Sequence, residues 1–185
     1  ISEGRGNFAD NNNRPSWVGR LAFSPQPVYE FGVSLHTGPY NLWEADGLEI
    51  DTRRGVTIWA LDWEASWRSF ELVGEYASAA IDVPAETGLL QENQAGIYVQ
   101  ANGPFGRGLV AALPQSVFTG IFRFGQVDFD TDGDGDSRRR LTFGLNFRPN
   151  EDSVFKLDYQ RDKSLDPLNN EVEGAALLFS AATYF

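Results

Sequence analysis

One run in the sequence has the residue types and spacing of a cation ligand set. Asp130-Thr131-Asp132-Gly133-Asp134-Gly135-Asp136 puts a carboxylate at every second position around two glycines. Asp130, Asp132, Asp134 and Asp136 could converge on a hard cation such as Ca2+, as in the first half of a calcium loop. The twelfth position from Asp130 is Leu141, where that loop needs a bidentate Glu, and no helical pattern flanks the run. A hydrated acidic loop is the competing reading, and no other cofactor is indicated. The second chemical candidate is His36, the sole histidine, two residues from Ser34 on the same face of an expected strand. Hydrolysis by such a pair needs a third, orienting group and a nucleophile elbow. No Gly-x-Ser-x-Gly surrounds Ser34, so no residue is assigned a catalytic role and the chain is read as a non-enzyme. Gly103-Pro104-Phe105-Gly106-Arg107-Gly108 is glycine-rich but lacks dinucleotide spacing, and reads as a flexible turn.

The charged residues recur at alternate positions. Arg20, Glu30, Asp62, Glu64, Arg68, Glu71, Glu75, Arg123, Arg140, Arg148, Lys156 and Asp158 all fall on the polar side of period-two segments. Acids dominate the earlier segments and bases the later ones. Charges so placed must face water or a water-filled lumen. Rings of charge set selectivity in pores, whereas cross-strand pairing on any polar face is the plainer explanation.

The elements that carry them are strands, because side chains alternate faces along a strand. Trp17 to Ser24, Val28 to His36, the Trp59-Leu61-Trp63-Ala65-Trp67 segment and Phe70 to Ala77 alternate clearly. Ala95 to Asn102 is weaker. Val117 to Phe129 is long, and its alternation slips near Gly125, where a bulge is expected. Arg140 to Arg148, Phe155 to Gln160 and a closing strand over Glu173 to Phe185 follow. That gives about nine strands in a single domain, 1–185, with short turns on one side and longer loops on the other. Trp17, Trp59, Trp67, Tyr76, Tyr159 and Phe185 lie near strand ends, as girdle aromatics would. The chain has 185 residues, no Cys and a formal charge of −11. These exclude a disulfide or thiolate framework and argue against nucleic acid as a partner. No apolar run approaches the ~20 residues of a membrane helix.

The closing stretch, apolar on one face and ending in Phe185, resembles the last strand of bacterial outer-membrane barrels. Trp17-Val18-Gly19-Arg20-Leu21-Ala22-Phe23-Ser24-Pro25, Glu30-Phe31-Gly32-Val33-Ser34, Thr37-Gly38-Pro39-Tyr40, Leu141-Thr142-Phe143-Gly144-Leu145-Asn146-Phe147-Arg148-Pro149 and Phe155-Lys156-Leu157-Asp158-Tyr159 extend it. They resemble general or phosphate-selective porins of Gram-negative bacteria. The resemblance implies an all-β, antiparallel transmembrane β-barrel in the outer membrane. It implies a water-filled channel for passive diffusion of small hydrophilic solutes or ions. The charged residues above would line the pore, lipid and lipopolysaccharide would surround the barrel, and a homotrimer is one assembly it allows. Because such barrels have even strand numbers, an odd count suggests the C-terminal part of a barrel of about 16 or 18 strands. The rival readings are a docking barrel for a partner complex and a water-soluble ligand-binding β-barrel with its apolar face inward.

Overall fold

Each stretch of period-two alternation folds as a strand and pairs antiparallel with its sequence neighbour. The computed structural model describes residues 15–41, 44–45, 48–49, 51–84 and 92–184. The strands are β1 (Trp17–Gln26), β2 (Tyr29–Pro39), β3 (Glu44–Ala45), β4 (Leu48–Glu49), β5 (Gly55–Trp67), β6 (Phe70–Ile81), β7 (Asn93–Phe105), β8 (Val117–Asp128), β9 (Ser137–Arg148), β10 (Ser153–Leu165) and β11 (Glu171–Thr183). Nine of them form one sheet in the order β1-β2-β5-β6-β7-β8-β9-β10-β11, and β3 with β4 makes a separate two-stranded ribbon. The expectation of about nine antiparallel strands matches this sheet.

The expectation of a barrel does not. Among the described residues β1 pairs only with β2 and β11 only with β10, so the sheet is open, with two free edges. The physical reason is parity. In a nine-stranded antiparallel meander the first and last strands point the same way. The chain's own edges therefore cannot meet through antiparallel bonds. Alternation shows which side chains share a face; it carries no information about whether the sheet closes. With the barrel go the transmembrane channel, the porin assignment and the outer-membrane location inferred from them. No helix among the described residues is long and apolar enough to cross a membrane, a statement that concerns helices alone.

Several boundaries also move. Gly103 and Pro104 belong to β7 and Asp162 to β10, not to loops. The pairing of β8 with β7 and with β9 runs through Gly125 without a break, so no bulge forms there. The register instead shifts between Phe23 and Gln26 in β1, where Pro25 removes a donor.

The ladders place the side chains on two faces. The apolar face carries Trp59, Leu61, Trp63, Phe122, Phe143, Leu145, Leu157 and Phe179. It holds an aromatic row: Phe105 to Phe118 at 6.0 Å between centroids, Phe118 to Phe147 at 4.6 Å, Phe147 to Phe155 at 6.4 Å and Phe155 to Phe179 at 6.5 Å. Such stacked cross-strand rings are the sheet's main packing units. At Gly74, Gly103 and Gly120 an aromatic neighbour lies over the glycine. Trp63 covers Gly74 directly opposite, in space that a Cβ would occupy. No second layer covers this face among the described residues. Val154 is the one buried hydrophobic residue among the described residues, while Phe179 is 70 % exposed.

Candidate functional site on the charged face

The opposite face is where the charges gather. Register puts Arg20, Glu30, Asp62, Glu64, Glu71, Glu75, Arg123, Arg140, Arg148, Lys156 and Asp158 on it. Arg68 is the exception. It occupies the β5–β6 turn with a φ of 56° and lays its guanidinium over the Trp67 ring, 4.9 Å from the centroid.

The two charge groups stay apart because sequence neighbours are neighbours in space. At the acidic end, Arg20 bridges Glu30 at 3.0 Å and Asp62 at 2.5 Å, tying β1, β2 and β5 together. These two hydrogen-bonded carboxylates raise the guanidinium pKa further. At the basic end, Arg140 holds Asp162 by two parallel bonds, Nε to Oδ1 at 2.6 Å and Nη2 to Oδ2 at 3.0 Å. The guanidinium keeps the Asp162 carboxyl below the usual carboxylate range.

Between them, across β6 to β10, lies a concavity of about 630 Å3. Its charged lining is Arg123, Arg138, Arg140 and Lys156 against Glu75 and Asp158. Arg140 is engaged by Asp162. Among the described residues, Arg123, Arg138 and Lys156 have no carboxylate within ion-pair distance. Arg123 is held over the Tyr98 ring at 4.2 Å, a cation–π contact that fixes the group without neutralising it. Arg138 donates to the Ser164 hydroxyl at 3.3 Å. The floor is β9. Thr142 is buried, and Asn146 has its Oδ1 shielded from solvent with no hydrogen-bond partner among the described residues. Gly144 lies between them, and the Asp158 carboxylate occupies the space its side chain would need.

Tyr98, Arg138 and Asp162 were not singled out in the sequence. The alternation Arg138-Arg140-Thr142 continues into β9 and would have revealed Arg138, but the acidic run before it suggested a loop. Tyr98 gives no signal, because its role depends on Arg123 from the next strand.

The aspartates of the run hydrogen-bond within their turn and to β7. Asp130 Oδ1 accepts the Asp132 N–H at 3.2 Å, and Asp132 Oδ2 accepts from Asn93 Nδ2 at 2.7 Å. These carboxylates shape the turn and tie it to β7. No group of three or more metal-ligating side chains converges among the described residues. His36 lies on the charged face of β2 opposite Ile58, on the same side as Ser34. Of the girdle aromatics, Trp67 stacks on Phe70 at 6.4 Å, while Trp59 packs on Tyr76 at 5.2 Å. Trp17 opens β1, and Tyr159 pairs with Phe143 in the middle of its strand. Phe185 lies outside the described residues.

No protein-family model, curated protein or solved structure matches this chain. The porin resemblance has no homologue or fold match behind it, and the open sheet removes its structural basis.

Proposed function

We propose that this chain is a ligand-binding sheet whose charged face holds small hydrophilic anions without transforming them. The observation that carries the reading is the concavity over β6 to β10. Among the described residues three cationic side chains there, Arg123, Arg138 and Lys156, have no carboxylate within ion-pair distance. A cleft lined mainly by one sign of charge raises the local concentration of ions of the opposite sign. The Thr142 hydroxyl and Asn146 amide on the floor supply the few fixed polar groups that orient a small ligand. Glu75, and the Asp158 carboxylate over Gly144, disfavour a second negative group beside them. The volume of about 630 Å3 is in the range of clefts that hold drug-sized ligands, so a small acid bearing a carboxylate or phosphate, with hydroxyls to meet Asn146, would fill only part of it.

Titration calorimetry with inorganic phosphate and with succinate tests the reading. Binding should weaken as salt is raised from 0.02 to 0.5 M, as the screening length falls from tens of ångströms to a few. Arg123→Gln and Lys156→Gln should each weaken binding by roughly 3- to 10-fold, the scale of a partly exposed charge-assisted hydrogen bond. Equal affinity in the wild type and both variants would overturn it.

A further inference from the structure

The free edge of β11 is unusual for a strand left unpaired. Edge strands ordinarily carry lysine, proline or a bulge that discourages pairing. From Gly174 to Thr183, β11 has ten residues with no charge and no proline. The other edge, β1, is shorter and carries both Arg20 and Pro25, with a register shift beside the proline.

The backbone shows which groups are open. The Tyr184 N–H donates to the Asp152 carbonyl at 2.9 Å, and β11 pairs with β10 without a break. Even-numbered residues therefore turn their N–H and C=O toward β10. Glu173, Ala175, Leu177, Phe179, Ala181 and Thr183 turn theirs outward. The same residues form the apolar face of the strand.

From this geometry we infer that a second copy of the chain pairs antiparallel along β11. A two-fold axis normal to the sheet reverses strand direction and left–right order together. It is therefore the operation that brings two such edges together antiparallel while keeping each face on its own side. It sets β11 against β11, an isologous contact. A register centred on Leu178 places Leu177 opposite Phe179 of the partner subunit and Ala175 opposite Ala181 of the partner subunit. Glu173 then meets Thr183 of the partner subunit, so no like charges oppose. Odd faces odd throughout, so every outward N–H and C=O from Glu173 to Thr183 finds a partner. The apolar and charged faces both continue unbroken into the second copy.

Two measurements on the full chain test the inference together. Light scattering should give a dimer mass. Hydrogen exchange should show the odd amides Leu177, Phe179 and Ala181 protected in a concentration-dependent way, and the even amides Leu178 and Ala182 protected at every concentration. Ala175→Pro removes an outward N–H and leaves the β10 ladder whole. It should return the protein to a monomer with an unchanged circular dichroism spectrum. Because the chain has no cysteine, single-cysteine variants at Leu177, Leu178 and Phe179 can map the centre by disulfide yield. A monomer at all concentrations overturns the inference. So does a dimer whose odd amides exchange freely, which would join through another surface. If Ala175→Pro alters the spectrum, the amide pattern of the wild type decides alone.

Discussion

The same substitution at two glycines should change stability in opposite directions. Neither Gly74 nor Gly174 has a positive φ, so both backbones accept alanine. Replacing glycine with alanine then stabilises a folded chain by about 0.4–1 kcal/mol, by reducing the freedom of the unfolded state. At Gly174 a Cβ would meet nothing within 4 Å, so Gly174→Ala should give that gain in full. At Gly74 the Cβ would enter the indole of Trp63 and lie 2.7 Å from the Tyr98 carbonyl oxygen. The carbonyl is held in the β6–β7 ladder, so the indole has to leave. Overpacking of this kind costs about 1–3 kcal/mol. Subtracting the entropic gain leaves Gly74→Ala destabilised by up to roughly 2.6 kcal/mol. Urea denaturation followed by far-ultraviolet circular dichroism measures both, and tryptophan fluorescence reports the displacement of Trp63. A Trp63→Ala background should remove the indole's share of the penalty at Gly74, leave the share due to the Tyr98 carbonyl, and leave the gain at Gly174 untouched. If both glycine variants shift the midpoint the same way, the indole does not rest on Gly74 and the packing of this face has been misread.

Two further outcomes follow from the geometry. Arg140→Gln should cost about 0.5–1 kcal/mol near neutral pH. Asp162 has a lowered pKa when folded, so the stability it contributes is present above the ordinary aspartate range and lost as pH falls through the lowered value. The difference between wild type and variant in pH-dependent urea titrations should therefore close in acid; a difference that persists there would exclude the ion pair as its source. Phe118→Leu interrupts the aromatic row between Phe105 and Phe147 and should cost about 1–3 kcal/mol beyond its lost area, at 0.5–1.5 kcal/mol per ring contact. A loss no greater than that of Phe122→Leu, which touches only Phe143, would count against a continuous row.

The faces were legible in the sequence because period two is a local property. Trp59, Trp63 and Leu145 on one side, and Glu64, Arg123 and Lys156 on the other, were placed by alternation alone and lie on those sides. Closure was not legible. It depends on whether β1 and β11 meet, and no local pattern encodes that. The resemblance supplied closure in its place, and with it a membrane and a channel. The concavity was half legible: Arg123, Arg140, Lys156 and Asp158 were on the page, but Tyr98, Thr142 and Asn146 gain their roles from strands that pair beside them. The aspartate run was open to two readings for a related reason. Alternating acids in a loop suit a cation and equally suit turns capped by their own carboxylates, and only the hydrogen bonds of Asp130 and Asp132 distinguish the two.

The strictly sequential strand order has a consequence for how the sheet forms and comes apart. Every strand of the main sheet touches only its predecessor and its successor. Each hairpin is thus a link in a linear chain of nearest-neighbour couplings, much as in repeat proteins, where stability is close to a sum of local terms. A link with two neighbours opens only when one of its couplings breaks on each side, whereas β1 and β11 are each held by a single one. Opening should begin as peeling from the margins and travel inward, with β6, β7 and β8 the last to let go. Anything that docks on an edge strand would therefore act as a stop on that fraying, and its effect on slow amide exchange would be felt several strands away from the point of contact.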